Sequence, residues 1–368
     1  MTISVLFDHY IAVNQTYGGI SKYLGELADA LPDQGVEPRF FAPLYINRQI
    51  AELPKPYVWG KRFNLPPHAR KVATALSFGL FPIVARLARP DVIHGTYYVP
   101  HYLTPAKVPT VLTVHDMIHE LFPEQFSDRV RSVKRTAIHR ADHIICVSQN
   151  TRRDLIDIYP DVANRITVIP LGFTAPAHSS AHRAHDRPYI LHVGRRGGYK
   201  NFEALLRAYA QSEQLKSHFD LVCGGAPFSS SEGALIDSLG LSREQVVAIS
   251  ADDDGLHALY ANAAVFVYPS LYEGFGIPPL EAMAADCPVV TIASSSIPDV
   301  CGNAVDYAEN GDPAALADAI EKLLASPSRC DELRQAGRLH LRNFSWQRCA
   351  AETAAVYRQL SGNAGLDR

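Results

Sequence analysis

Residues 270–281, Ser-Leu-Tyr-Glu-Gly-Phe-Gly-Ile-Pro-Pro-Leu-Glu, set two carboxylates, Glu273 and Glu281, eight positions apart. Between them stand Gly274, Phe275 and Gly276, then the pair Pro278-Pro279. Ionised carboxylates accept hydrogen bonds from hydroxyls, and glycines let backbone N–H groups come close to a ligand. Upstream, Val265-Phe266-Val267-Tyr268 reads as a buried strand ended by Pro269. Proline is tolerated in the first turn of a helix, so a helix is expected near Pro278 or Pro279, with Glu281 in its first turn. Strand, glycine-rich loop and helix start form the arrangement at which open α/β sheets bind ligands, and the helix start favours negative charge. A molecule that offers both hydroxyls and phosphate to such a loop is a nucleotide sugar. The plainer reading gives Glu281 to the helix dipole and leaves Glu273 solvated. It accounts for either glutamate alone but not for the pattern as a whole.

A second segment carries opposite charge. In Val193-Gly-Arg-Arg-Gly-Gly-Tyr-Lys-Asn201, a strand runs into Arg195, Arg196 and Lys200 at the next expected helix start. Cations are misplaced at a helix N-terminus unless an anion meets them. A diphosphate would be that anion, with arginine giving bidentate contacts and lysine a point charge. A solvated basic turn is the alternative, and Arg196 is the member expected to point to solvent. Gly18-Gly19, between the first strand and the first long helix, can offer backbone N–H groups to a phosphate or can be a simple turn. His115 and Asp116 end the run Thr110–Val114. A histidine there can hydrogen-bond a sugar hydroxyl or steady developing charge. His94, Tyr97, Tyr98 and His101 are acceptor-side candidates. Ser294-Ser295-Ser296 borders the same site or forms a turn.

These segments resemble retaining glycosyltransferases of family 4, whose signature is the Glu-x7-Glu pattern. The resemblance covers nearly the whole chain and implies the GT-B fold: two Rossmann-like α/β domains facing a central cleft, with a last helix crossing back to the first domain. It implies that Arg195 and Lys200 bind a donor diphosphate and that Gly18-Gly19 approaches it from the other side. It places Glu273, Gly274, Phe275 and Gly276 at the donor sugar, Glu281 at the ribose and His115 near the transferred sugar. The catalytic set is then His115, Glu273, Arg195 and Lys200. No cofactor and no metal is expected, because cations and helix N-termini would carry the leaving group's charge. Asp252-Asp253-Asp254 suits helix capping rather than metal binding. The start of the chain and Gly-Gly-Ile-Ser-Lys-Tyr (18–23) resemble bacterial O-antigen and exopolysaccharide mannosyltransferases, which points to GDP-mannose or a GDP-deoxyhexose and a glycan or lipid-linked glycan acceptor. A UDP-hexose or UDP-N-acetylhexosamine transferase of the same fold is the alternative, and a non-catalytic nucleotide-sugar-binding protein is the alternative of another class. Nothing marks a pyridoxal-phosphate lysine, which a glycan phosphorylase would need.

The elements that must position these residues alternate. A chain of 368 residues suits two domains. The expected division is 1–173 and a crossing helix in 344–368 for the first, a linker at 174–188 rich in Ala, His, Ser and Pro, and 189–343 for the nucleotide-sugar domain. Short apolar runs alternate with amphipathic stretches through both halves, the mark of βαβ units. Ser345 is an expected N-cap for a helix from Trp346.

Net charge −3 and pI near 6.6 argue against nucleic-acid binding. The N-terminus lacks the basic and apolar regions of a signal peptide, so a cytoplasmic protein is expected. Six cysteines without Cys-x-x-Cys spacing read as buried thiols, and His178, His182 and His185 as a loop rather than a metal site. Residues 53–90 carry seven basic side chains and no acidic one. The apolar stretch Val72–Ala85 between Lys71 and Arg86 is expected to be too short to span a bilayer. It either lies on an anionic membrane surface or forms an ordinary helix with a solvated basic face.

Overall fold

The structure is a computed structural model describing residues 2–64, 66–99, 108–175 and 185–366. It divides into two compact units, Met1–Gly172 with Phe344–Arg368, and Phe173–Asn343.

The first unit is built on seven parallel strands: β1 (Ile3–Phe7), β2 (Val36–Tyr45), β3 (Val58–Arg62), β4 (Val92–Gly95), β5 (Thr110–Val114), β6 (His143–Cys146) and β7 (Ile166–Val168), ordered β3-β2-β1-β4-β5-β6-β7. Parallel strands covered by helices on both faces read as continuous apolar runs, as Ile-Ile-Cys and Val-Leu do here. Strand order reverses between β1 and β4, the kind of switch point beyond whose carboxyl ends open α/β sheets bind ligands. Asp8, just past β1, ties this point together. Its carboxylate accepts from the Thr96 N–H at 2.7 Å, the Thr96 hydroxyl at 2.7 Å and the Tyr10 N–H at 2.7 Å.

The last helix, Trp346–Leu366, belongs to this unit and packs on the Gly19–Ala30 helix, β1 and β4. Ser345 caps it, its hydroxyl accepting from the Arg348 N–H at 3.1 Å. Tyr357 is fully buried and its hydroxyl lies 2.6 Å from His94 Nδ1, while His94 Nε2 lies 2.9 Å from the Thr113 hydroxyl. His94 is thus a buried strut between the last helix, β4 and β5 and is withdrawn from the acceptor side. Burial pushes its pKa down to about 3, so the ring is neutral. Of the other acceptor-side candidates, Tyr97 stacks on Tyr10 with centroids 5.8 Å apart, Tyr98 is buried, and His101 lies outside the described residues.

The basic segment 53–90 forms β3 and one long helix, Pro67–Ala88. The helix has 22 residues, because Lys71, Pro82 and Arg86 lie inside it instead of bounding it. Among the described residues it is long and apolar enough to cross a membrane, which corrects the expected short stretch. Its Ala73, Ser77, Phe81 and Ala85 are nevertheless buried in the unit.

The second unit repeats the plan with six parallel strands: β8 (Tyr189–Val193), β9 (Asp220–Gly224), β10 (Val246–Ile249), β11 (Val265–Tyr268), β12 (Val289–Ile292) and β13 (Asp306–Ala308), ordered β10-β9-β8-β11-β12-β13. The switch point falls between β8 and β11. The expected linker lies partly outside the described residues, as do His178 and His182. His185 sits 2.7 Å from Asp220 and anchors the entry to β8. All six cysteines are buried and free. Asp252 caps the Asp253–Asn262 helix through the Gly255 N–H at 3.0 Å.

Candidate functional site

The two expected donor-binding loops leave adjacent strands of the second unit. Residues 194–200 follow β8, and residues 269–276 follow β11. They meet through one short ion pair: Lys200 Nζ lies 2.6 Å from Glu273 Oε1. The same oxygen accepts from the Tyr268 hydroxyl at 2.5 Å. Tyr268, at the carboxyl end of β11, is buried, and burial together with the Glu273 charge holds its pKa well above the usual phenol range. It stays a donor and fixes the carboxylate.

The backbone of the loop is held by the serine run. Ser295 Oγ accepts from the Glu273 N–H at 2.8 Å; Ser296 Oγ donates to the Glu273 and Phe275 carbonyls, each at 2.9 Å; Ser294 Oγ donates to the Ser270 carbonyl at 2.9 Å. The serines therefore brace Glu273 and Phe275. Gly276 has φ +103°, and a Cβ there would lie 2.7 Å from Ile297 Cδ1. Only glycine fits this turn. Gly274 and Phe275 are buried beside it.

Gly276 is also the N-cap of the Ile277–Ala284 helix. That start precedes Pro278, which places Glu281 one turn into the helix and corrects its expected place in the first turn. Glu281 accepts from the Tyr260 hydroxyl at 3.1 Å and is half-buried.

The basic loop separates into three roles. Arg195 is exposed. The Arg196 side chain is buried, contrary to the expectation of solvent. It pairs with Glu232 at 2.6 Å, donates to the Ala226 and Pro227 carbonyls at 2.8 and 2.9 Å, and lies 4.9 Å from the Phe228 ring centroid. This staples the loops after β8 and β9. Lys200 ends a short 3-10 turn, Gly198–Lys200, and the following helix begins at Phe202. Asn201, in a left-handed conformation at φ 55°, anchors that junction by donating to the Gly311 carbonyl at 2.8 Å. His192 below the loop is buried, with its pKa pushed down to about 4 by burial.

In the first unit, Gly18 is the N-cap of the Gly19–Ala30 helix. Gln15 folds over this end, its side-chain oxygen accepting from the Ser21 N–H at 3.1 Å. A Cβ on Gly18 would strike Gln15 at 2.5 Å, whereas one on Gly19 would meet nothing within 4 Å. Gly19 is the open position.

His115 follows β5 and packs edge-on against Tyr23, with centroids 5.2 Å apart. The residue is only half-buried, yet its ring is enclosed enough that desolvation brings the pKa down to about 4. It is neutral at physiological pH. Asp116 orders its own turn, accepting from the Ile118 N–H at 3.1 Å and lying 3.8 Å from Lys134 Nζ. Lys134 itself is fully buried. It donates to the Asp116 carbonyl at 2.7 Å, pairs with Glu120 at 2.7 Å and sits 5.0 Å from the Tyr98 ring centroid. Sequence reading missed it. The signal was there: in the Asp128–Arg140 helix, Lys134 stands on the face of Ala137 and Ile138, where a solvated lysine has no place.

Comparison with known proteins agrees with this architecture. The Glycosyltransferase Family 4 model matches residues 17–175, and the Glycosyl transferases group 1 model matches residues 176–340. The chain is 30% identical over 289 residues to O-antigen chain mannosyltransferase B of Escherichia coli, covering 73% of this chain and 74% of that protein. It is 31% identical over 290 residues to alpha-maltose-1-phosphate synthase of Mycolicibacterium smegmatis, covering 69% and 74%. Among solved structures, sucrose-phosphate synthase of Thermosynechococcus elongatus superposes with a TM-score of 0.77 at 21% identity, over 99% of this chain and 100% of that one. Anabaena HepE in complex with UDP and glucose superposes with a TM-score of 0.71 at 19% identity, over 96% and 99%. Two doubly wound units, a last helix returned to the first and matches through both halves leave one assignment: the chain belongs to glycosyltransferase family 4 and has the GT-B fold.

Proposed function

We propose that the protein transfers a hexose, mannose or a deoxyhexose, from a GDP-sugar to a glycan or lipid-linked glycan acceptor in bacterial surface polysaccharide synthesis, with retention at the anomeric carbon. Transfer takes place on the cytoplasmic side of the membrane. The observation that carries the reading is the Glu273 carboxylate, held by Lys200 at 2.6 Å and Tyr268 at 2.5 Å on a loop braced by Ser295 and Ser296. A carboxylate fixed in this way accepts from sugar hydroxyls without reorganising, and preorganisation of this kind is where enzymes gain most. Lys200 and Arg195 meet the diphosphate and Glu281 the ribose. Lys200 has to turn from Glu273 toward phosphate or serve both. Neutral His115 donates or accepts a hydrogen bond at the transferred sugar without adding charge. In this reading no metal is needed, because Lys200, Arg195 and helix N-termini carry the leaving charge. The mannosyltransferase relative favours mannose as the transferred sugar.

A UDP-hexose donor is the second reading. It is favoured by the UDP and glucose bound in Anabaena HepE, and the alpha-maltose-1-phosphate synthase relative speaks for a hexose other than mannose. A metal-free thermal-shift panel with GDP, UDP, ADP and dTDP separates them. A ligand at about 100 times its dissociation constant stabilises the folded state by about 2.7 kcal/mol. A selective shift with GDP supports the first reading, a selective shift with UDP replaces the donor, and no shift with any of the four rejects the donor site.

A further inference from the structure

We infer that the Pro67–Ala88 helix is a membrane-surface element: its outward face lies in the headgroup region of an anionic bilayer while its inward face stays in the protein. This deepens the lipid-linked acceptor reading above and rests on it for its purpose, though not for its test.

The outward face is apolar. Val72, Leu76, Leu80, Ile83 and Leu87 are 68%, 51%, 36%, 52% and 78% exposed. At about 100° per residue they fall within an arc of about 80°. This is one continuous stripe, unlike the scattered single apolar residues normal on a protein surface. The adjoining arc holds Ala73, Ser77, Phe81 and Ala85, all buried. Phe81 and Ala85 pack with Leu6 of β1, Phe41 of β2 and Ile93 of β4. The helix therefore cannot leave the unit to span a bilayer, and only its outer side is available.

The rim of the stripe chooses the occupant. The rest of the helix circumference carries His68, Lys71 and Arg86, and the whole of 53–90 has no acidic residue. Neighbouring strand β3 lies at the sheet edge, ends in Lys61 and Arg62, and leads to Phe63, which is 41% exposed under the Lys61 ammonium. Its Trp59 packs into the same cluster as Phe81, so strand and helix form one patch. A second copy of the chain would bring this cationic rim against itself, because a two-fold interface pairs a surface with the same surface. An anionic bilayer supplies both an apolar layer for the stripe and negative headgroups for the rim.

The test is co-sedimentation of the full chain with vesicles of phosphatidylcholine alone or mixed with phosphatidylglycerol. The protein is expected to pellet with the mixed vesicles, and less so at high salt, where the Debye length shortens to about 3 Å at 1 M. Each basic residue near an anionic surface is worth a factor of about 5 in partition, so Lys71→Ser/Arg86→Ser should weaken binding about 25-fold. Ile83→Glu/Leu87→Glu, at exposed positions, should abolish it with an unchanged melting temperature. Three results overturn the inference: no pelleting of the unaltered chain, equal pelleting of the unaltered chain and both variants, or a dimer in solution that Ile83→Glu dissolves. Vesicle binding needs no nucleotide, so failure here leaves the donor reading standing, and the reverse holds too.

Discussion

Lys134→Met tests the buried ionic cluster beneath His115. The ammonium is fully buried, and its partner Glu120 has a side chain only 8% exposed at 2.7 Å. Removing one member of such a pair leaves the other charged and desolvated, at a cost of about 3–5 kcal/mol. For a unit of this size each kcal/mol moves the melting temperature by about 2–4 °C, so the transition of the first unit should fall by roughly 6–20 °C. Differential scanning calorimetry reads this directly and separates the two units if they melt apart. Glu120 gives the prediction a second arm. Burial already holds its pKa above the usual carboxylate range, with the Lys134 charge and hydrogen bond pulling it back. Without Lys134 the pKa rises further. A carboxyl raised in the folded state contributes fully below its unfolded pKa and loses that contribution as pH rises. The deficit of Lys134→Met should therefore shrink toward pH 4 and grow toward pH 8. Adding Glu120→Gln should recover most of the loss and remove the pH dependence. A deficit under about 1 kcal/mol at pH 7, or a double variant no better than the single one, would refute the reasoning.

Other outcomes follow from the same geometry. Glu273→Ala should lower donor turnover about 10²–10³-fold, the scale for losing one preorganised polar group, and full activity would show that the sugar is held elsewhere. Two glycine variants should part company. Gly276→Ala forces a strained φ and a contact with Ile297, costing about 1–3 kcal/mol in chemical denaturation. Gly19→Ala meets no protein atom, so its melting temperature should hold while turnover falls at least about tenfold if a ligand occupies that space. A variant with unchanged kinetics would remove Gly19 from the donor site. On acidification, His94 and His192 stay neutral when folded, with pKa values near 3 and 4, but protonate at about 6.5 when unfolded. A lowered histidine pKa means that the unfolded state binds more protons below that value. Stability should therefore fall as pH drops from about 6.5 to 5, ahead of the carboxylates. His94→Gln should flatten the slope, and a flat wild-type profile across that window would contradict the assignment.

The two doubly wound units were legible in the sequence because buried parallel strands are near-continuous apolar runs. Ile3–Phe7, Thr110–Val114, Tyr189–Val193 and Val265–Tyr268 form strands over the residues expected. Strand β3 was not legible. It is an edge strand, Val-Trp-Gly-Lys-Arg, with one neighbour and solvent on its outer side, and it carries no alternating or apolar run. The long helix after it was hidden for a related reason: Lys71 and Arg86 look like boundaries in a linear reading, whereas on a helix they point away from the buried arc. At the candidate site, the charged residues announced themselves by type. Their supports did not. Tyr268 reads as one more apolar strand residue until its hydroxyl is seen on Glu273, and Ser295 and Ser296 read as turn residues until their partners 22 and 21 positions away are known. Contacts made across a fold leave no spacing to recognise.

The return of the last helix imposes an order of events on biosynthesis. The first unit leaves the ribosome up to Gly172, but the part of its sheet at β1 and β4 that the last helix packs on stays uncovered until that helix arrives. Gly172 and Trp346 then meet so closely that a Cβ on Gly172 would lie 2.5 Å from the Trp346 backbone nitrogen. Synthesis at about 5–20 residues per second leaves the first unit waiting on the order of 10–40 s. The second unit, Phe173–Asn343, is contiguous and has no such delay. The half of the chain made first is thus the half completed last. A nascent chain stalled before Trp346 would expose the apolar back of β1 and β4, a natural substrate for holdase chaperones and for proteolysis.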